Sequence, residues 1–129
     1  MTIIDHLSVG VSSIERATAF YDQALAPLGV RRLAASEGFA AYGREAVQFL
    51  AMTPADGRSC TAGNGVHIAF AAPSQDAVRA FHAAALEAGG RDEGAPGPRP
   101  AYPKPGVFAA FVRDPFGNKL EVIHNGFSG

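Results

Sequence analysis

His6-Leu7-Ser8-Val9-Gly10-Val11-Ser12-Ser13 and His67-Ile68-Ala69-Phe70-Ala71-Ala72-Pro73-Ser74 are two copies of one pattern. With residue n set against n+61, His6 falls on His67, Phe20 on Phe81, Ala24 on Ala85, Leu25 on Leu86 and Gly29 on Gly90, with no gap. Such a repeat is one supersecondary unit used twice, so it constrains the fold before any single residue does. The 129 residues therefore predict one domain built of two modules, about 1–60 and 61–129.

Each copy opens as a strand. Leu7, Val9 and Val11 alternate with His6, Ser8 and Gly10, and Ile68 and Phe70 alternate with His67, Ala69 and Ala71. Period two puts the bulky residues on one face, to pack on a helix, and leaves each histidine among small residues on an open face. A helix follows. Ser12 and Glu15 have capping-box spacing, Ile14, Ala17, Tyr21, Leu25 and Leu28 form an apolar stripe, and Gly29 ends it. In the second copy Ser74 is the expected N-cap, with Asp76 in the first turn and Val78, Phe81, Ala85 and Leu86 on the buried face.

Strand-like runs come next, at 30–33, 39–42 and 46–52 in the first half and at 107–112 and 119–124 in the second. Asp114-Pro115-Phe116-Gly117-Asn118 reads as the turn between the last two. Each half is β-α-β-β-β, with the strand after the second helix poorly marked. Five prolines between Pro96 and Pro105 exclude a helix or a central strand there. The segment 91–106 is therefore expected to be a loop over the mouth of a site.

Composition narrows the function classes. Eleven basic and 12 acidic residues give a net charge of −1 with no basic stripe, which argues against nucleic acid. No run approaches the ~20 apolar residues that span a bilayer. Cys60 is the single cysteine, so no intrachain disulfide forms, and Met1-Thr2-Ile3-Ile4-Asp5 lacks the regions of a signal peptide. Both point to the cytoplasm. No motif surrounds Cys60, which reads as an ordinary thiol.

Within Leu120-Glu121-Val122-Ile123, Glu121 points away from the helix side, on the same kind of face as His6 and His67. A carboxylate there is costly to bury unless it is paired or binds a metal. The repeat sets Val47-Gln48-Phe49-Leu50 against this run, with Gln48 opposite Glu121. Two imidazoles, a carboxylate and an amide oxygen suit a divalent ion such as Zn, Ni, Fe, Mn or Co, with positions left open for a small-molecule substrate. The competing reading has the histidines satisfied structurally and Glu121 paired with Arg113 or Lys119. Arg99, Tyr102 and Lys104 lie on the Pro-rich segment and are candidates to hold an anionic substrate, against a plain solvated loop.

The stretches Ile4 to Val11, Ala19-Phe20-Tyr21-Asp22, Gly65 to Phe70 and Phe111 to Glu121 resemble the vicinal oxygen chelate superfamily. That family includes glyoxalase I, extradiol dioxygenases, fosfomycin-modifying enzymes, methylmalonyl-CoA epimerase and bleomycin-binding proteins. The resemblance implies an α+β fold in which two β-α-β-β-β modules form a cup-shaped, eight-stranded half-open barrel. It implies a divalent metal on His6, His67 and Glu121, with Gln48 at the fourth position; a shift of one residue would put Phe49 there. It implies Lewis-acid stabilisation of an enediolate or similar oxyanion on vicinal substrate oxygens, with Glu121 as the base. A glyoxalase-like lyase or isomerase is the first expectation. A small dioxygenase and a metal-free binding module of the bleomycin-resistance type are the alternatives. Relatives build the site within one chain or across a dimer, and a homodimer is expected here.

Overall fold

The structure, a computed structural model, describes residues 3–128. Met1 and Thr2, part of the N-terminal stretch considered above for a signal, lie outside it, as does Gly129. The first half contains β1 (Leu7–Gly10), α1 (Ile14–Leu25), β2 (Arg31–Ala35), β3 (Phe39–Gly43) and β4 (Phe49–Met52). The second contains β5 (Ile68–Ala71), α2 (Gln75–Glu87), β6 (Arg91–Pro98), β7 (Phe108–Arg113) and β8 (Lys119–His124). The strands form two four-stranded sheets of identical topology, β1-β4-β3-β2 and β5-β8-β7-β6. In each, the first strand runs parallel to the last and the other neighbours are antiparallel. This is the expected pair of β-α-β-β-β modules. The sheets are not closed into a barrel: no ladder joins them among the described residues.

Helix packing follows the apolar spacing with two adjustments. Ala17, Phe20, Tyr21, Ala24 and Leu25 of α1 are buried, as are Ala77, Val78, Phe81 and Ala85 of α2. Leu86 faces out, because Ala77 lies on the buried stripe instead. The N-cap of α1 is Ser13, whose hydroxyl accepts from the Arg16 amide at 3.1 Å, so the Ser12–Glu15 capping box does not form. Ser74 caps α2 as expected, accepting from the Ala77 amide at 3.0 Å.

The Pro-rich segment is a partial correction. Arg91–Pro98 pairs with β7 as an edge strand, with irregular register between Asp92 and Gly94 and between Gly94 and Gly97. Proline is tolerated on an edge because no second neighbour needs its missing N–H. Only residues 99–107 remain irregular.

One core spans both modules, joined through the edge-to-face pair Phe49–Phe70 at 5.1 Å. The Asp114–Asn118 turn ties the halves together. The buried Asp114 carboxylate accepts from Tyr21 of α1 at 2.5 Å, from the amides of Phe116 and Asn118, and from Asn118 Nδ2. The same Nδ2 also donates to the Gly10 carbonyl of β1. Burial, reinforced by Asp114, pushes the Tyr21 phenol well above its ordinary pKa. No helix is long and apolar enough to cross a membrane among the described residues.

Candidate active site

The alternation in β7 and β8 divides their side chains between two faces. Phe108, Ala110, Val112, Leu120 and Val122 enter the main core, while Ala109 and Ile123 join Val107 and Tyr102 in a small cluster on the other face. Glu121 lies on that second face, as its parity requires. It is cross-strand from Phe111 and beside Ala69.

Glu121 is 3 % exposed, and both carboxylate oxygens have partners. Oε1 is 3.1 Å from His67 Nε2, and Oε2 accepts from the Tyr102 hydroxyl at 2.9 Å. A buried carboxylate must be satisfied in this way. His67 directly precedes β5 and its side chain is 44 % exposed, so the pair opens towards solvent on the imidazole side. The His67 ring sits 5.9 Å from that of Phe111. Burial and the Glu121 carboxylate raise the Tyr102 pKa, against a smaller downward pull from Arg99.

Residues 99–107 hold Tyr102 in place. Lys104 Nζ donates to the Gly126 carbonyl at 2.6 Å, and Asn125 donates to the carbonyls of Pro105 and Gly106. Arg99 Nη2 donates to the carbonyls of Ala95 and Ala109, with its guanidinium 5.4 Å from the Phe111 ring. Of the three Pro-rich-segment candidates, Tyr102 reaches the carboxylate, while Arg99 and Lys104 are engaged with backbone.

His6 occupies the position before β1 that His67 occupies before β5, but it is not brought to Glu121. Its side chain is 56 % exposed, with Nδ1 2.7 Å from Asp5 Oδ1. Among the described residues, no three His, Cys, Asp or Glu side chains gather closely enough to hold a metal ion. The Nε2–Oε1 separation of His67 and Glu121 suits two neighbouring donors on one small divalent ion, and equally a hydrogen bond. One chain thus offers a half-site that fits an ion only with donors from elsewhere.

The ladders also correct the place of Gln48. Leu7 pairs with Phe49 and Ser8 with Leu50, whereas Ile68 pairs with Leu120 and Ala69 with Glu121. The counterpart of Glu121 is therefore Leu50. Gln48 stands at the place of Lys119 and is exposed. The offset of 61 does not reach these strands, because the connections after β2 and β6 differ in length, and strand pattern alone leaves the match two residues out.

The competing pairing of Glu121 with Arg113 or Lys119 does not occur. Arg113 binds Glu93 at 2.7 Å instead, which holds the Glu93 carboxyl below its usual range. A cavity of about 220 Å³ adjoins His67, lined by Gly63 to Val66, Arg113 and Lys119. Sequence reading missed this cavity and Phe111. The Asp-Pro turn would have set Arg113 opposite Lys119. A larger cavity of about 690 Å³ lies between the modules, with Leu7, Phe49, Ile68 and Phe70 in its lining.

Comparison with known proteins agrees with the fold. The family described as the Glyoxalase/Bleomycin resistance protein/Dioxygenase superfamily matches residues 3–122. A glyoxalase/bleomycin resistance protein from Albidiferax ferrireducens T118 is 36 % identical, with a TM-score of 0.87 over 97 % of this chain and all of that one (100 %). A glyoxalase-related enzyme from Fulvimarina pelagi is 17 % identical, with a TM-score of 0.75 over 97 % of this chain and 89 % of that one. A lactoylglutathione lyase from Agrobacterium tumefaciens is 19 % identical, with a TM-score of 0.66 over 97 % and 95 %. The last two likenesses concern the fold alone. No curated protein matches the sequence.

Proposed function

The chain belongs to the Glyoxalase/Bleomycin resistance protein/Dioxygenase superfamily, and on that premise we propose that it is a divalent-metal-dependent enzyme of the glyoxalase-like lyase or isomerase type. Its substrate is small and carries two neighbouring oxygens. The observation that carries this reading is the buried Glu121 carboxylate, placed 3.1 Å from the half-exposed His67 imidazole on an open sheet face. Burying a carboxylate in an apolar strand costs stability, and a functional role is a reason to keep one there.

His67 and Glu121 would hold the ion, with His6 of a second copy as the third protein donor and Gln48 carried on the same module as that His6. Imidazole and carboxylate suit Zn, Ni, Fe, Mn or Co. When bound, the ion supplies Lewis acidity to the two substrate oxygens. Glu121 takes a proton from one substrate carbon and returns it to the next. Tyr102 holds Oε2, which orients the carboxylate. Val107, Ala109 and Ile123 form an apolar floor that limits water.

The dimer on which this depends is supported by what one chain leaves uncovered. Ile3 is 98 % exposed, and Ile4, Leu7 and Val66, around the starts of β1 and β5, are also exposed. β1 and β5 each end a sheet. A homodimer would cover such edges and apolar groups.

A second reading, a metal-free small-molecule binding module, is favoured by one observation. Glu121 is fully partnered inside the chain, and the apolar-lined cavity of about 690 Å³ between the modules has the size of a ligand pocket. Elemental analysis of protein purified without chelators, beside His67→Ala, separates the two. A stoichiometric transition metal absent from the variant is expected. No metal, even after loading with excess, would replace the enzyme by the binding module.

A further inference from the structure

Three cations stand in one row across the second sheet. Arg91 of β6 pairs directly with Arg113 of β7, and Arg113 pairs directly with Lys119 of β8. Directly opposed residues of antiparallel strands project from the same face, where like charges destabilise the sheet. Only one carboxylate answers the row: Glu93 binds Arg113, and neither Arg91 nor Lys119 has an ion-pair partner among the described residues. Lys119 instead lies over the Phe111 ring at 5.1 Å.

The row opens onto the small cavity beside His67. Arg113, Lys119 and His67 line it together with Gly63 to Val66. Gly63 and Gly65 both have positive φ, at 72° and 92°. At about 220 Å³ the space is too small for a whole drug-sized ligand and suits one compact group.

We propose that this cavity is an oxyanion subsite, in which Lys119 and Arg113 hold a carboxylate or phosphoryl group of the substrate. Lys119 and Glu121 share a strand face two residues apart, so the anion sits roughly 7 Å along β8 from the reacting end. The substrate is therefore a short molecule whose anionic group lies a few bonds from its vicinal oxygens. This deepens the reading above and rests on it for the reacting end; the oxyanion end stands on the cationic row alone. The row's electrostatic cost is offset when the anion binds, through charge-assisted hydrogen bonds.

The test is calorimetric titration of the full chain with inorganic phosphate and, separately, with acetate, at constant ionic strength held by chloride. Saturable binding of at least one is expected, weakened about tenfold or more in Lys119→Met. Arg79→Met, a charge loss elsewhere on the surface, should leave it unchanged. The melting temperature of Lys119→Met should equal or exceed that of the parent, because a like-charge neighbour is removed. Glu121→Gln should retain the binding even where it loses metal, so failure of the metal reading and failure of the subsite are distinguishable. No saturable binding of either anion, equal affinity in Lys119→Met, or loss of binding in Glu121→Gln would overturn the proposal.

Discussion

The two modules share a scaffold and differ on their open faces. Both place a histidine just before the first strand, cap the helix with a serine and order the sheet alike. On the second module the ladder positions opposite and beside the histidine strand carry Phe111, Arg113, Lys119 and Glu121; on the first the same places hold Ala41, Gly43, Gln48 and Leu50. Gly43 cannot carry a side chain at all, since a Cβ there would lie 1.8 Å from the Ala46 carbonyl oxygen. The duplicated fold is thus kept by its core and caps, while the chemistry is concentrated in one copy. Of the proposed metal set, the first copy keeps only His6 and the adjacent Gln48.

The largest expected effect breaks this asymmetry. Glu121→Gln should lower turnover about 10²–10⁴-fold, the usual range for loss of a proton-transfer group. Leu50→Gln, which installs the same side chain at the matching place in the other copy, should leave kcat within a few-fold. Steady-state kinetics on a substrate found by screening decides between them, and equal losses would remove the distinction between the copies.

Next comes the clasp that joins the modules. Asp114→Ala leaves the Tyr21 hydroxyl and the Asn118 side chain without their carboxylate inside the core. It should cost about 3 kcal/mol or more, read from urea unfolding. Asn118→Ala should cost less, because Asp114 keeps its other donors.

A smaller effect lies in the tyrosines, whose signal is unobscured because the chain has no tryptophan. Tyr21, Tyr42 and Tyr102 are all raised above 10, chiefly by burial, and each further by a carboxylate partner. Folded phenol pKa values above those of the unfolded chain mean stability that is full below about pH 10 and is lost as pH rises through the raised values. Ultraviolet titration of the folded protein should show no tyrosinate step near pH 10. In Glu121→Gln one step, that of Tyr102, should move down.

The smallest effect tests the likeness of the halves rather than their difference. Ser13→Ala and Ser74→Ala should each cost about 1 kcal/mol, and Ser12→Ala about 0.5 kcal/mol or less.

What could be read from the residues alone follows from the same contrast. The offset of 61 placed β1, β5 and the starts of both helices, because these segments are read by local alternation and capping. It fails beyond β2, where unequal connections break the offset, and matching 47–50 to 120–123 by strand pattern alone puts Gln48 two residues out, in the place of Leu50. Ser12 and Ser13 are both competent caps, and only the backbone chooses between them. Prolines hid β6 because an edge strand obeys looser rules than a central one. Glu121 was legible from parity, but its bond to Tyr102 depends on how residues 99–107 fold back. The separation of His6 from Glu121 depends on how the modules pack, which no local pattern encodes.

The central claim is that the second module's His67 and Glu121 are completed by His6 of another copy. The most direct measurement is complementation of metal content. His6→Ala and His67→Ala are purified separately, then mixed, unfolded and reassociated, and the metal is measured in each. Each variant alone should hold none. In the mixture half the molecules are heterodimers with one intact site of two, so roughly a quarter of the wild-type metal should return. Metal retained by either variant alone, or none regained on mixing, would contradict the account.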